Sequence, residues 1–273
     1  MTVHYEQGFW HVDGRTGVVV AAGLGLLIGV VIGGLGGGGG VLTVPLLVYV
    51  LGQGAQDATT GSVVIVGVSA AVGVASRCRG GLVEWRTGLV LGAVGIPAAA
   101  LGTVLNQRVA EPVLLLSFAV LTVLAALALL LDSGPVPEES GGGVAVRTRA
   151  SVVRVVGCGV VIGFLTGFLG VGGGFLLVPA LVIVMRMPML PAVGTSLLVI
   201  TINSAAAFAV RVGAAPELEW DVLVPFTLAA VLAGFAGRRL AERCSGPVLA
   251  RALAVMLLLV GLFVGVESLI ALT

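Results

Sequence analysis

The chain has 273 residues, of which 58% are hydrophobic and 43 are glycine, whereas only 10% are charged. These proportions exclude an ordinary soluble globular domain, in which about a quarter of the residues are charged. The 14 basic residues are all arginine and leave a net charge of only +1, so nothing indicates the basic face that nucleic-acid binding requires. The sequence therefore predicts an integral membrane protein with no nucleic-acid partner.

Ten apolar stretches follow one another along the chain. They cover residues 17–35, 41–51, 58–76, 87–105, 113–131, 155–170, 175–185, 192–210, 222–237 and 252–271. Most approach the roughly 20 residues that a helix needs to cross a bilayer, and Glu267 is the one charged residue inside any of them. The second and seventh stretches are too short to cross as single helices. We expect an all-α, multi-pass protein of the plasma or inner membrane, in contact with the lipid bilayer.

The chain contains an internal repeat. A shift of 134 residues aligns residues 29–73 with residues 163–207 without a gap, and 16 of the 45 pairs are identical. The matches are not limited to glycine, because proline and serine positions also coincide. Internal repeats of this kind are typical of secondary transporters. The predicted domains are an extracytoplasmic tail at 1–16, a first membrane repeat at 17–131, a cytoplasmic linker at 132–151 and a second membrane repeat at 152–273.

Loop charge predicts how the two repeats are oriented. Cytoplasmic loops collect arginine, and the loop after the third stretch is basic in the first repeat but acidic in the second. This difference favours two repeats inserted with inverted topology, which requires an odd number of crossings in each. Five crossings satisfy the requirement, and so do three crossings with one re-entrant hairpin. Both place the linker in the cytoplasm and the two termini outside.

Each repeat carries a glycine tract within apolar sequence, at residues 33–40 and 167–174. Consecutive glycines disfavour a helix by about 1 kcal/mol each, and irregular backbone at membrane depth persists only where it is buried in protein or lines a cavity. We expect each helix to break at its tract and restart near Pro45 or Pro179, because proline suits a first helical turn. Free N–H groups of the restarted helices would form two oxyanion sites that converge near the membrane centre.

The glycine tracts allow two other interpretations. Gly-x-x-x-Gly faces allow helices to pack closely, which is the simplest alternative. Residues 34–39 also fit the G-x-G-x-x-G pattern of dinucleotide sites, but they follow no predicted strand. A Walker A phosphate loop is excluded because the chain contains no lysine.

Polar side chains follow each glycine tract. Their hydroxyls either cap the start of the next helix or donate to the same anion. Asn203 aligns with Ser69, and a buried amide within a membrane needs a partner in protein or substrate. The predicted substrate-binding residues are Gly38, Gly39, Gly40, Thr43, Thr60, Ser62, Gly172, Gly173, Gly174, Thr195, Ser196 and Asn203.

Arg77 and Arg211 end equivalent helices. By inversion they would lie at opposite membrane faces, where they either attract anions and gate the two mouths or extend to the interface as terminal arginines commonly do. The histidines, His4 and His11, both lie in the N-terminal tail. No catalytic residue, metal site or cofactor is predicted, and an enzyme is not expected.

The repeated Gly-x-Gly-Gly-Gly-x-x-x-x-Pro tract, followed by Ala-x-Gly-Thr-Ser and a Glu-Trp loop, resembles the TauE/SafE sulfite exporter family, also called the toluene sulfonate uptake permease family. The second repeat carries the pattern best, at Gly170, Gly172, Gly173, Gly174, Pro179, Ala192, Gly194, Thr195 and Ser196. The resemblance assigns neither one anion nor an oligomeric state. It implies an inner-membrane transporter of sulfur-containing oxyanions such as sulfite or organosulfonates, but not the direction of transport or a coupling ion. We expect an exporter that works by alternating access around the glycine breaks. A passive anion channel and a transporter of thiosulfate or another small organic anion are the alternatives.

Overall fold

The computed structural model describes residues 14–37, 39–51, 55–106, 109, 111–131, 149–169, 174–212 and 220–272. Regular structure in these ranges is helical throughout, so the all-α prediction is confirmed. The α-helices are α1 (Gly14–Leu35), α2 (Gly39–Pro45), α3 (Ala55–Arg77), α4 (Trp85–Asn106), α5 (Glu111–Leu131), α6 (Arg149–Leu169), α7 (Gly174–Ile183), α8 (Met189–Val212), α9 (Trp220–Arg243) and α10 (Gly246–Leu272). A π-helix, Leu46–Val50, follows α2, and a 3₁₀ turn, Cys78–Gly80, follows α3.

Long apolar helices dominate the described residues. Five stretches within them are long and apolar enough to cross a membrane: Thr60–Gly80, Trp85–Leu105, Met189–Ala209, Trp220–Arg243 and Gly246–Val266. Shorter apolar helices occur at Val19–Leu35, Leu116–Leu131, Val153–Leu169 and Gly174–Ile183. The last of these, α7, is about 15 Å long at 1.5 Å per residue, half the apolar thickness of a bilayer. It cannot cross on its own.

The two repeats exchange helix partners. The main partner of α1 is α9, and the equivalent helix α6 packs in the same way on the equivalent helix α4. Glycine makes both contacts close. A Cβ on Gly29 would lie 2.2 Å from the carbonyl oxygen of Ala230, and a Cβ on Gly163 would lie 2.4 Å from the carbonyl oxygen of Gly95. The close-packing interpretation therefore holds for the glycines that precede each break and for the first glycine of each tract.

The third helices of the two repeats cross each other at the centre. α3 contacts α8, with Gly67 facing Ser204 and Gly73 facing Leu197. Residue number rises along α3 while it falls along α8, so these equivalent helices run antiparallel. Antiparallel equivalents are what inverted repeats require. Inverted insertion in the membrane itself stays a prediction.

The direction of α6 and α8 bears on whether the seventh segment crosses or re-enters. α6 is parallel to α4, because Gly163 and Gly167 pack on Gly95 and Ala99 in the same order. By the same criterion α4 is parallel to α8. Since α6 and α8 run in one direction, the chain between them, which includes α7, must return across the molecule. A re-entrant hairpin would leave α6 and α8 antiparallel, so the geometry argues against one in the second repeat, and five crossings in each repeat stay a prediction.

The helices are interrupted at the glycine tracts, but the prolines do not mark the restarts. α2 begins at Gly39 and α7 at Gly174, whereas Pro45 is the last residue of α2 and Pro179 lies inside α7. The prediction of proline in a first turn is therefore wrong. Backbone groups without partners are costly in an apolar interior, so the buried chain resumes helical hydrogen bonding as soon as the glycines end. Pro45 has no N–H to continue the helix, and a π-helix follows it.

Candidate anion site at the glycine breaks

The two glycine breaks meet each other. A Cβ on Gly37 would lie 1.8 Å from the carbonyl oxygen of Gly174, so the two backbones pack with no side chain between them. A Cβ on Gly174 would lie 2.8 Å from Cδ1 of Ile200, a residue near the midpoint of α8. The interruption of one repeat therefore packs on the interruption of the other, level with the middle of a long helix.

Gly36 ends α1 in the left-handed conformation, with a φ of 82° that favours glycine. Its N–H donates to the carbonyl oxygen of Ile32 at 3.0 Å. A Cβ here would lie 2.8 Å from Oγ of Ser196 and 3.0 Å from Cα of Val193. The fully buried Ser196 donates to the carbonyl oxygen of Val193 at 2.8 Å, so a hydroxyl of the second repeat faces the break of the first.

Thr195 forms a hydrogen bond with the loop that precedes α4. Its Oγ1 accepts a hydrogen bond from the N–H of Glu84 at 3.0 Å, and a Cβ on the neighbouring Gly194 would lie 2.0 Å from the carbonyl oxygen of Leu82. Because α8 begins at Met189, Thr195 lies within the helix and does not cap its start. The capping interpretation is wrong for this residue, which instead accepts from the residue just before the first turn of α4.

The predicted polar residues of the first repeat are also buried. Thr43 is fully buried and donates to the carbonyl oxygen of Gly39 at 2.8 Å, within α2. Thr60 and Ser62 are both buried in α3, past its first turn. Gly39 and Gly40 open α2, so these residues lie on the two helices that follow the first break. Gly38, Gly172 and Gly173 are outside the described residues, as is the side chain of Arg211, whose backbone belongs to the last turn of α8.

Ser69 and Asn203 occupy equivalent positions on the two crossing helices. Oγ of Ser69 and Oδ1 of Asn203 are both buried, and neither has a hydrogen-bond partner among the described residues. Asn203 Oδ1 lies 4.0 Å from the place of a Cβ on Gly95, beside the contact between α4 and α6. Buried polar groups are rarely left unpaired. The two repeats therefore each place one buried, unpaired polar atom at this equivalent position.

Arg77 is almost fully buried, with 1% of its surface exposed, so its side chain packs within the protein and does not extend away from it. Its guanidinium donates through Nη2 to the carbonyl oxygen of Gly33 and through Nη1 to that of Gly73 at 3.5 Å. Gly33 belongs to the last turn of α1, where the carbonyl groups lack helical partners. Arg77 therefore places a donor and a positive charge at the negative end of the α1 dipole.

Arg238 belongs to the same region and was missed as a site residue. It lies in α9, donates to the carbonyl oxygen of Ser76, and pairs through Nε with Glu242 at 2.6 Å. The four-residue spacing of Arg238 and Glu242 is a signal for an ion pair on one helix. This spacing does not predict the hydrogen bond from Arg238 of α9 to Ser76 of α3, because that bond depends on how the two repeats pack.

Comparison with known proteins agrees with these features. Residues 21–264 match a family model described as "Sulfite exporter TauE/SafE". A "Probable membrane transporter protein" of Xylella fastidiosa strain Temecula1 is 33% identical over 84% of this chain and 86% of its own length. The "Probable membrane transporter protein YunE" of Bacillus subtilis strain 168 is 28% identical over 68% of this chain and 75% of its own. No solved structure matches the chain.

The matched range runs from α1 to α10 and includes both glycine tracts. The predictions of a multi-pass membrane protein, of a transporter and not an enzyme, and of the family resemblance are confirmed. The chain is a membrane transporter that belongs to the TauE/SafE sulfite exporter family.

Proposed function

We propose that this transporter carries sulfur-containing oxyanions, such as sulfite or organosulfonates, out of the cell by alternating access around the paired glycine breaks. The observation that carries the proposal is the contact between the breaks at Gly37 and Gly174, with the buried Ser196 beside them. Helix breaks within membrane-length apolar sequence mark the substrate sites of many secondary transporters.

The start of α7 suits an oxyanion. The first N–H groups of a helix have no partner within it, and α7 begins at Gly174, inside the protein. Such donors, together with the positive end of the helix dipole, favour a bound anion. Sulfite and sulfonate groups each offer three oxygens to these donors, and Ser196 places a hydroxyl nearby. Helix ends thus supply a positive field without an arginine at the centre.

Export of an anion needs no coupling ion. A membrane that is negative inside favours the exit of each negative charge by about 2.3 kcal/mol per 100 mV. A uniporter or an anion exchanger is therefore sufficient for export, whereas uptake against this voltage would require a coupled cation.

The exchange of helix partners suggests which parts move. The α1–α9 pair and the α4–α6 pair each contain one helix from each repeat, and they flank the crossing of α3 and α8. We expect each pair to move as a unit, because backbone-to-backbone contacts within it resist sliding. A covalent crosslink between the two pairs should then stop transport, whereas a crosslink within one pair should not.

The test is the uptake of radiolabelled sulfite, sulfoacetate and sulfate into proteoliposomes under imposed voltage of either sign. We expect saturable, voltage-driven flux of sulfite or sulfoacetate, lowered about tenfold or more in Ser196→Ala. The Ser196 hydroxyl, which donates to the carbonyl oxygen of Val193 but faces the break at Gly36, would turn to the bound anion, because hydrogen bonds to charged groups are the stronger class. Ser117→Ala is the matched control, because Ser117 donates to Val113 within α5. Absence of flux for all three anions, or native flux in Ser196→Ala, would contradict the proposal.

Kinetics separate a carrier from a passive channel. A carrier saturates and exchanges labelled for unlabelled anion across the membrane, whereas flux through a channel rises with driving force and shows no such counterflow. Flux without saturation or counterflow would therefore assign the channel alternative.

A further inference from the structure

Arg77 caps the broken end of α1. In a continuing helix the carbonyl oxygen of Gly33 would accept a hydrogen bond from the N–H of Gly37. Here that N–H donates to the carbonyl oxygen of Leu35 at 3.0 Å, and Nη2 of Arg77 donates to Gly33 instead. A side chain of α3 therefore replaces the backbone donor that α1 loses where it breaks.

The guanidinium of Arg77 lies beside the first glycine break. Its Nη2 binds the carbonyl oxygen that would point at Gly37 in an unbroken helix. Gly37 is the residue whose backbone packs on that of Gly174, at the start of α7. The positive charge of Arg77 is therefore held next to the contact between the two breaks.

The second repeat approaches the same guanidinium. The place of a Cβ on Gly73 is 3.8 Å from Nη1 of Arg77 and 3.0 Å from Cδ1 of Leu197. Leu197 directly follows Ser196 on α8, and the hydroxyl of Ser196 faces Gly36. One turn of α8 thus borders both the candidate anion site and Arg77.

Arg77 brings a full charge that the described residues do not neutralise by direct contact. It donates to the carbonyl oxygens of Gly33 and Gly73, and both acceptors are uncharged. The charged side chains near it in the described part of the chain are Arg238 and Glu242, which pair with each other at 2.6 Å. That pair is neutral as a unit, so the positive charge of Arg77 is left over.

Hydrogen bonding alone does not require this charge. Gly167 occupies the position in α6 that Gly33 occupies in α1, and its carbonyl oxygen accepts from the neutral hydroxyl of Thr103 at 3.5 Å. A neutral donor therefore serves the equivalent carbonyl. Because a buried cation is costly to desolvate, the guanidinium at Gly33 indicates an electrostatic role in addition to the cap.

We propose that Arg77 is a positioning residue for the transported anion, which keeps the break favourable to negative charge by cancelling the negative end of α1. The last carbonyl groups of a helix carry roughly half a negative charge. α1 ends at the break where α7 begins, so its end would oppose the positive field of the α7 start. One full positive charge on Arg77 exceeds that half charge, and the field of α7 is left unopposed.

The inference rests on the proposed function, because it assigns to Arg77 a part in the affinity for the anion that the breaks are proposed to bind. Arg77 acts through the end of α1 and does not itself touch the anion. Its charge should therefore change the affinity for the anion more than the maximal rate of transport.

The test is the uptake of radiolabelled sulfite by the full-length protein in proteoliposomes, with KM and the maximal rate measured separately. Arg77→Gln keeps an N–H donor but removes the charge. We expect it to raise KM about tenfold, with a maximal rate within about twofold of native, whereas Arg77→Lys should keep KM within about threefold. Arg251→Gln is the matched control, because it removes an exposed positive charge from α10, where solvent screens it.

The charge of the anion separates an electrostatic role from a structural one. Ethanesulfonate and sulfoacetate share a two-carbon skeleton, but they carry one and two negative charges. Both should inhibit sulfite uptake less well in Arg77→Gln, and sulfoacetate should lose about tenfold more, because the Coulomb energy grows with the charge of the ligand. A mere loss of packing would weaken the two inhibitors by the same factor.

The outcomes for Arg77 and for the proposed function can be told apart. A native KM in Arg77→Gln, or equal weakening of both inhibitors, would refute the role of Arg77, while sulfite flux through the native protein would still support the proposed function. If the native protein carries none of these anions, both proposals fail. Arg77→Met is a second charge-free variant if Arg77→Gln does not fold. An Arg77→Lys protein that folds but shows a tenfold higher KM would also refute the role, because its charge would then have no effect.

Discussion

Gly33 of α1 and Gly234 of α9 meet backbone to backbone, since a Cβ on Gly33 would lie 2.1 Å from the carbonyl oxygen of Gly234. Real Cβ atoms do not approach a backbone oxygen this closely, so a side chain at Gly33 must push the two helices apart. We expect Gly33→Ala to lower the free energy of unfolding by about 1–3 kcal/mol. Thermal unfolding of the purified protein in detergent would measure it.

The matched control lies on the same helix. Gly23 has no atom within 4 Å of the place of its Cβ. Gly23→Ala should therefore be neutral or raise stability by up to about 1 kcal/mol, because alanine is the better helix former. Equal melting temperatures for the two variants would show that α1 and α9 do not pack this closely in the membrane protein.

Much of the fold can be predicted from the sequence, and these glycines show where prediction stops. Apolar stretches and glycine tracts indicate the helices and their interruptions, because each depends on local sequence. The choice of α9 as the partner of α1 depends on tertiary packing across 200 residues of chain, which no local pattern records. The predicted restart of the helix near Pro179 was wrong for the same reason, because the buried helix α7 begins before this proline.

Substitutions of Thr195 distinguish a structural role of its hydroxyl from a role in substrate binding. Its Oγ1 accepts from the N–H of Glu84, so Thr195→Val should leave that N–H unpaired and cost about 1–2 kcal/mol of stability. Thr195→Ser should retain the bond and most of the stability. Thr227→Val is the control, because Thr227 donates to Leu223 within α9. A Thr195→Val protein of native stability but altered KM for sulfite would instead assign Thr195 to the substrate.

We expect an apolar substitution of Asn203 to keep or raise the stability of the protein and to lower transport. Because its Oδ1 is buried without a partner, Asn203→Leu, which keeps the branched shape of the side chain, removes a desolvated acceptor. We predict equal or higher melting temperature and lower transport. Thr201→Val is the neighbouring control, since the Thr201 hydroxyl is already satisfied by the carbonyl oxygen of Leu197 at 2.8 Å. Native transport by Asn203→Leu would remove Asn203 from the path of the anion.

The sequence predicts which types of residue lie at the candidate site, but not what each of them contacts. The buried hydroxyls of Thr195 and Ser196 follow from their place beyond the glycine tract, yet Thr195 holds a loop while Ser196 faces the opposite break. Adjacent residues of a helix point in different directions, so their neighbours depend on which helices pack there. Arg238 illustrates the same limit, because its bond to α3 requires the arrangement of both repeats.

Two cysteines test the direction of the helices in the membrane. Cys78 directly follows α3 and Cys244 directly follows α9. Arg238, near the end of α9, donates to the carbonyl oxygen of Ser76 in the last turn of α3, so the two cysteines lie at one end of the molecule. With five crossings in each of two inverted repeats, that end is the arginine-rich cytoplasmic face. We expect a membrane-impermeant maleimide to label each only after the cells are permeabilised.

The measurement uses variants that keep one cysteine at a time, with Cys158→Ser in both to remove the thiol of α6. Cys78 is exposed, so its labelling should be fast, whereas the partly buried Cys244 should react more slowly. If the second segment returned to the side it came from, α3 would run outwards and Cys78 would react in intact cells. Labelling of the two cysteines from opposite faces would refute five crossings, because helices α3 and α9 would then end on different sides of the membrane.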